Sequence, residues 1–312
     1  MSNTIDPNLL EQLKKLQQKY DVMGQDLSSY LDGLLYSDYL TYWDYIHLDT
    51  LLSLQTPKTH FPDEKIFIVY HQITELYFNL ILWEIEQVVE NNQLNEKYFC
   101  ERLDRINNYF KNLVASFTIM VTGMEREQFL KFRMSLLPAS GFQSGQYRMI
   151  EICSTDLINI VNTADRDSLR NSSIDSQLKK LYWRSGATEL ATGKKTLTLQ
   201  QFEQKYDGEF KQLATKRIDK NLRKLYQKHF PDSTEVKNRL REFDELANVL
   251  WPLAHMRSAA QYLKKDPEDI KATGGTNWQK YLPPRFQKII FFPELWSEQE
   301  KAEWGKAGLV TS

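Results

Sequence analysis

The sequence predicts an all-α protein, a bundle of long antiparallel helices, and three stretches carry that prediction. Residues 64–91, EKIFIVYHQITELYFNLILWEIEQVVEN, set Ile66, Phe67, Val69, Tyr70, Ile73, Leu76, Tyr77, Leu80, Ile81, Ile85 and Val88 at helical spacing with no Gly or Pro between them. That pattern reads as one long, largely buried helix. Residues 93–123 repeat it with Phe99, Leu103, Ile106, Phe110, Leu113 and Val114, and two long helices in succession fold back on one another. Residues 236–263 are the last long helical stretch, which Pro252 interrupts or kinks. With 312 residues, 41% of them hydrophobic and 12% aromatic, the chain has enough apolar surface for a substantial core.

The elements follow in order. Asp6-Pro7 is a helix start, an N-cap followed by a proline at the first helical position, and Leu9, Leu10, Leu13 and Leu16 give residues 7–35 an amphipathic pattern. Residues 36–45 crowd four tyrosines and a tryptophan together before the pattern Leu48, Leu51, Leu52, Leu54 runs to Pro57. Such aromatic density suits core or subunit packing first, and an aromatic-lined pocket for a flat ligand second. In the 64–91 helix, His71 has Phe67, Thr74 and Glu75 one turn away on its own face; an ordinary core histidine satisfied by a carbonyl or by Glu75 is the plainer reading of that helix alone. Residues 125–137 form a shorter helical stretch in which Phe129, Phe132 and Leu136 surround Arg133. A cation on an apolar face needs compensation, either from an internal ion pair or from a ligand carboxylate met by the guanidinium fork.

Pro138 ends that stretch, and Ser140-Gly141-Phe142-Gln143 has capping-box spacing for the next helix, through Tyr147 to Ile160. Residues 162–235 are more polar and irregular, with sparse apolar positions, and read as a peripheral helical insertion within a single domain spanning 1–312. His255 follows Pro252, with small residues Ala254, Ser258, Ala259 and Ala260 around it that leave room for a large flat group. Thr273-Gly274-Gly275-Thr276 offers backbone and hydroxyl donors to an anion, although a surface turn is the commoner role.

Composition narrows the function. Forty basic against 41 acidic residues give a formal charge of −1, with no basic run to attract nucleic acid or an anionic membrane. Cys100 and Cys153 are isolated in sequence and read as reduced thiols. With no signal-like N-terminus and no apolar run of membrane-spanning length, the expectation is a soluble cytoplasmic protein. P-loop, GxGxxG, HExxH, GxSxG and CxxC patterns are absent. Two histidines on different helices and an isolated internal arginine remain, an arrangement compatible with haem held by one neutral imidazole.

The chain resembles the tryptophan 2,3-dioxygenase family, haem enzymes that insert both atoms of O2 across the indole C2–C3 bond. The resemblance runs through YIHLDTLLSLQ (45–55), DEKIFIVYHQITELYFNLILWEI (63–85), Phe132-Arg133, SGFQSGQYR (140–148), the His255 helix, ATGG (272–275) and FFPELW (291–296). It implies haem b, one per subunit, with O2 as co-substrate and His255 as the axial iron ligand. His71 matches the distal histidine that meets the indole N–H, with Phe67 beside it. Arg133 matches the arginine that pairs with the substrate carboxylate, Phe129 and Leu136 match pocket walls, and Thr273 matches the threonine at the substrate's amino-acid end. Tyr42, Tyr45 and Ile46 match residues that a neighbouring subunit of a homotetramer donates to the pocket. The chain departs from the family at Ser258-Ala259-Ala260-Gln261, at the longer link to Thr273, at Gly145 in place of a leucine and at Thr276-Asn277 in place of a serine pair.

The reading is therefore a dioxygenase of L-tryptophan that yields N-formylkynurenine, the first step of the kynurenine pathway. The alternatives are a haem-dependent oxygenase of another aromatic amino acid or substituted indole, and a non-catalytic haem-binding bundle.

Overall fold

The computed structural model describes residues 6–37, 41–136, 142–185, 187, 194–263 and 283–306. The predicted all-α class holds: among these residues there is no β-strand, and Val161 and Leu181 form an isolated antiparallel bridge. The chain forms two compact units, residues 1–56 and 57–312. In the first, the amphipathic stretch divides into α1 (Pro7–Val22) and α2 (Leu27–Leu35). Gly24 turns the chain between them at a φ of +64°, a conformation that costs glycine little. The Asp26 carboxylate then caps α2 by accepting the N–H groups of Ser28 and Ser29, each at 3.1 Å. Short helices follow at Tyr42–Tyr45 and Leu48–Ser53.

The second unit is organised on α3 (Asp63–Glu90). It buries Tyr70, Phe78, Ile81, Ile85 and Val88, each such side chain contributing about 1.5–3 kcal/mol on leaving water. A short link leads to α4 (Glu96–Ser116), capped by the Asn95 side chain. Phe78 lies 6.4 Å from Phe110 and Glu84 lies 3.3 Å from Arg102, so the pair is antiparallel, as the sequence predicts. Glu84 is buried but compensated, accepting from Arg102, Arg105 and Tyr109. The helix expected to reach residue 123 ends at Ser116, and a separate turn, Thr118–Thr122, follows Phe117.

Next comes α5 (Arg126–Phe132), which tightens into a 3-10 turn at Arg133–Leu136, so Arg133 sits just past the α-helix expected over 125–137. α6 (Gly145–Ser154) has Ser144 as its cap, the hydroxyl accepting from the Tyr147 N–H at 3.1 Å. The capping box expected from Ser140 does not start this helix: Gln143 precedes the cap, and Ser140 lies outside the described residues. The helix also ends at Ser154, and the short helix Leu157–Ile160 is separate from it.

Residues 162–235 pack more intimately than their sparse apolar content suggests. They contain α7 (Leu197–Arg217) and α8 (Leu222–His229), and Trp183, Leu199, Phe202, Phe210, Leu222 and Leu225 enter the same hydrophobic core as α3 and α4. Where the family resemblance has a leucine, Gly145 admits the Tyr206 ring: a Cβ there would lie 2.6 Å from the ring. Arg217, also buried, forms ion pairs with Glu86 and Glu90 of α3.

The last long stretch holds α9 (Thr234–Glu245), a π-turn at Leu246–Leu250 and α10 (Trp251–Leu263). α9 runs parallel to α4, since Ser233 meets Glu96 at 2.7 Å, Arg239 meets Asp104 at 2.8 Å and Phe243 meets Phe110 at 5.6 Å. Asp244 is fully buried and accepts four N–H donors: Phe291 at 2.7 Å, Phe292 at 3.0 Å, the Trp296 indole at 3.0 Å and Asn248 at 2.8 Å. Burial pushes its carboxyl up to about 6, and the four donors pull the other way. It remains ionised at neutral pH. The FFPELW segment is thereby fastened to the turn that leads into α10. Asp244→Leu strands these donors, each at about 1–3 kcal/mol when buried and unmatched, so stability should fall by roughly 4 kcal/mol or more, with Asp244→Asn milder. Urea unfolding checks this, and a loss below about 1 kcal/mol contradicts the account.

Candidate functional site

His71 lies at the middle of α3, and its Nδ1 is 2.7 Å from the Phe67 carbonyl oxygen. A carbonyl only accepts, so Nδ1 carries the proton and Nε2 keeps its lone pair. The plainer expectation of a carbonyl-satisfied histidine is met at one nitrogen, which sets the tautomer and leaves the other nitrogen for chemistry. The Phe67 ring covers the imidazole at 4.0 Å. Although the His71 ring is solvent-accessible, burial lowers its pKa, outweighing the Phe67 carbonyl and Glu75, which raise it. Glu75 is held from behind by Gln146, whose side-chain N–H groups meet the Glu75 carbonyl and carboxylate, both at 2.8 Å.

His255 on α10 repeats the arrangement. Its Nδ1 is 3.1 Å from the Trp251 carbonyl oxygen, which again puts the proton on Nδ1 and leaves the Nε2 lone pair available. The ring is held between Phe117 at 4.5 Å and the edge of Trp251 at 4.4 Å. Burial brings its pKa down to about 4, and His71 is close enough to contribute to that shift. The two histidines, 184 positions apart in sequence, thus share one electrostatic neighbourhood. An aromatic path connects them: Tyr70 is 6.2 Å from His71 and 5.7 Å from Phe117, which touches His255.

The wall on the His71 side is built from α5. Phe129 lies 6.4 Å and Phe132 5.8 Å from Phe67, and Phe129 also packs on Tyr262 of α10 at 4.6 Å. Arg133 follows directly on the 3-10 turn, buried, and desolvation lowers its pKa. The structure therefore brings His71, Phe67, Phe129 and His255 into one region of the second unit, and Arg133 is the residue after Phe132 of that wall. The Leu136 side chain and Thr273 lie outside the described residues. Tyr42 and Tyr45 belong to the first unit, where they are 72% and 73% exposed beside half-buried Ile46. No cluster of three or more metal-ligating His, Cys, Asp or Glu side chains occurs among the described residues.

Two side chains that fix His255 are not singled out by the sequence pattern, Phe117 and Trp251. Their only sequence signal is aromatic character at a helix end and at the position four before the histidine. Tyr147 and Asp244 likewise carry no chemical motif of their own, although both lie near His255 in the chain or in the packing.

Fold and site together define an all-α protein in which two neutral imidazoles share an aromatic-walled region. Residues 33–276 match the family model for Tryptophan 2,3-dioxygenase, and the chain belongs to that family of oxidoreductases. A tryptophan 2,3-dioxygenase of Ruegeria sp. (strain TM1040) is 27% identical over 278 residues, covering 84% of this chain and 92% of the relative. One from Exiguobacterium sibiricum is 28% identical with the same coverage of both chains. One from Herpetosiphon aurantiacus reaches 44% identity, over 118 residues that cover 37% of this chain and 45% of the relative.

The depressed histidine pKa values have a consequence for stability. Unfolded, His255 returns to its ordinary value of 6.5; folded, it protonates only near 4. Between these values the unfolded chain binds a proton that the native protein does not, so stability falls as pH is lowered through that window. His71 acts in the same direction. Haem-free protein should show falling urea midpoints from pH 7 to 5, with a shallower fall in His255→Phe. An unchanged slope in that variant removes His255 as the cause.

Proposed function

We propose that this chain is a haem-dependent dioxygenase that converts L-tryptophan to N-formylkynurenine, the entry to the kynurenine pathway, acting as a single haem domain in the cytoplasm. The observation that carries the reading is the pair of imidazoles with their Nε2 lone pairs available within one neighbourhood, in a member of this family. Haem fits these residues. A neutral imidazole whose Nδ1–H is held by a backbone carbonyl is the usual form of a haem ligand, and His255 has that form. Small Ala254 and Ser258 flank it. When bound, haem supplies the O2 activation that protein side chains do not provide.

The chain's own residues do the rest. His255 would hold the iron through Nε2, and the Trp251 carbonyl on Nδ1–H would raise the basicity of that nitrogen. His71 presents an acceptor at Nε2, suited to the indole N–H of the substrate. Phe67 and Phe129, with Leu136, provide apolar walls for the ring, and Arg133 with Thr273 receives the amino-acid end. The guanidinium fork matches a carboxylate in two contacts, and Lys would not reproduce that.

A second reading is oxidation of another aromatic amino acid or substituted indole, and it starts from the departures from the family pattern on α10, where Ser258 donates to the Met120 carbonyl at 2.8 Å. Product formation from L-tryptophan and from ring-substituted analogues by the reduced, aerobic enzyme separates the two readings.

Arg133→Leu should keep its haem and lose about 2–5 kcal/mol of substrate binding, roughly 30-fold or more in kcat/KM. His255→Ala should fold and lose haem. His71→Ala should do milder damage than either. Full haem with an unchanged spectrum in His255→Ala refutes the ligand assignment.

The assembly we infer is a homotetramer in which the N-terminal segment, with Tyr42, Tyr45 and Ile46, completes a neighbour's pocket. Two exposed apolar features support it: the Tyr42–Tyr45 helix, and the α3 stripe of Ile73, Leu76, Leu80 and Trp83, spaced as a helix–helix seam. Light scattering at micromolar concentration should give a multiple of 36.9 kDa, and Leu76→Glu with Trp83→Glu should reduce it. A fully active monomer contradicts the assembly.

A further inference from the structure

We propose that Tyr147 is a positioning residue for His255: its hydroxyl replaces the backbone N–H that Pro252 lacks and so fixes the register of the helix on which His255 sits. The evidence begins at the π-turn. The Trp251 N–H donates to the Leu246 carbonyl, five residues back. Continuing in that register, the Ala247 carbonyl would accept from the nitrogen of residue 252, which is a proline and has no hydrogen to give. Ala247 is fully buried, where an unmatched carbonyl is costly. The Tyr147 hydroxyl fills the vacancy at 2.8 Å.

The competing register is the ordinary α-helix, in which the Trp251 N–H serves Ala247 itself and no π-turn is needed. Pro252 would then oppose the Asn248 carbonyl, also without a hydrogen, and the tyrosine hydroxyl would share the Ala247 carbonyl with a backbone donor while the Asn248 carbonyl went without one. Passing from one register to the other shifts the chain by one residue, which turns every later side chain about 100° around the axis. His255 would rotate away from the Phe117 ring that it now meets at 4.5 Å. Tyr147 is well placed to decide between the registers because it cannot readily move. It is buried, its ring lies 5.3 Å from Phe78, and the Arg148 guanidinium covers it at 4.7 Å. Arg148 is itself held by Glu151 at 3.0 Å and by the Tyr182 hydroxyl at 2.9 Å. The hydroxyl therefore projects from the start of α6 as a fixed donor toward the Ala247 carbonyl.

Only the consequence for iron ligation rests on the proposed haem function; the register itself does not. The test is a two-residue cycle in the full-length protein, with Tyr147→Phe made alone and with Pro252→Ala, which restores the missing N–H. Hydrogen exchange across residues 246–256 should speed up about tenfold in Tyr147→Phe, the cost of a stranded buried carbonyl. In the Pro252→Ala background the same change should have less than a twofold effect. In haem-loaded protein the iron–imidazole stretching band should shift with Tyr147→Phe and return in the double variant. Equal effects of Tyr147→Phe in both backgrounds overturn the proposal. If Tyr147→Phe alone fails to fold, recovery of folding in the double variant supports the proposal and continued failure overturns it. A chain that takes up no haem sinks the proposed function while the exchange cycle still decides the register.

Discussion

The Asp244 carboxylate is the contact on which the arrangement around His255 depends. An acidic group buried without a cation survives only if donors converge on it, and here the donors come from a segment about fifty positions further along the chain together with Asn248 on the next turn. Phe291 and Phe292, whose backbone it holds, bury their rings against Phe243 at 5.6 and 6.2 Å. The same carboxylate thus fixes the end of α9, the start of the π-turn and the FFPELW segment. Everything beyond it on α10, His255 included, inherits its direction from that junction.

Charge is handled in two ways in this molecule. Where helices cross, buried cations have carboxylate partners: Arg102 with Glu84, and Arg217 with Glu86 and Glu90. Such pairs add little net stability over apolar packing, but losing one partner is expensive, so they fix which helices meet. Around His71 and His255 the opposite solution is used. Both imidazoles are kept neutral by burial, and each is oriented by a carbonyl four residues earlier on its own helix. Neutral rings with defined tautomers are what ligation and hydrogen-bond acceptance require, whereas imidazolium would offer no lone pair.

Residues 162–235 show how limited apolar content can still bind a segment to the core. A few large side chains, Trp183, Phe202 and Phe210, cluster with Phe142 and Tyr206, and Gly145 gives Tyr206 the space to sit on the first turn of α6. Arg217 then closes the far end against α3. The segment thereby packs on α3 and on α6.

The sequence by itself determined the all-α class, the long helices and the family. Periodicity marked α3 to within a residue of its ends, because a long amphipathic pattern without Gly or Pro admits one conformation. The blocks around His71, Arg133, Gly145 and His255 pointed to the family, since residue types at fixed spacing survive where overall identity is low. Local endings were less legible. The break at Phe117, the 3-10 turn at Arg133, the cap at Ser144 and the π-turn before Pro252 each depend on partners remote in the chain. Only the tertiary structure decided which nitrogen of each histidine carries the proton, how α10 is turned, and that His71 and His255 share a neighbourhood. Those outcomes rest on packing among α3, α5, α6 and α10 and on donors such as Tyr147, whose acceptor lies 100 positions away. A pattern read along one chain segment carries no record of such a partner.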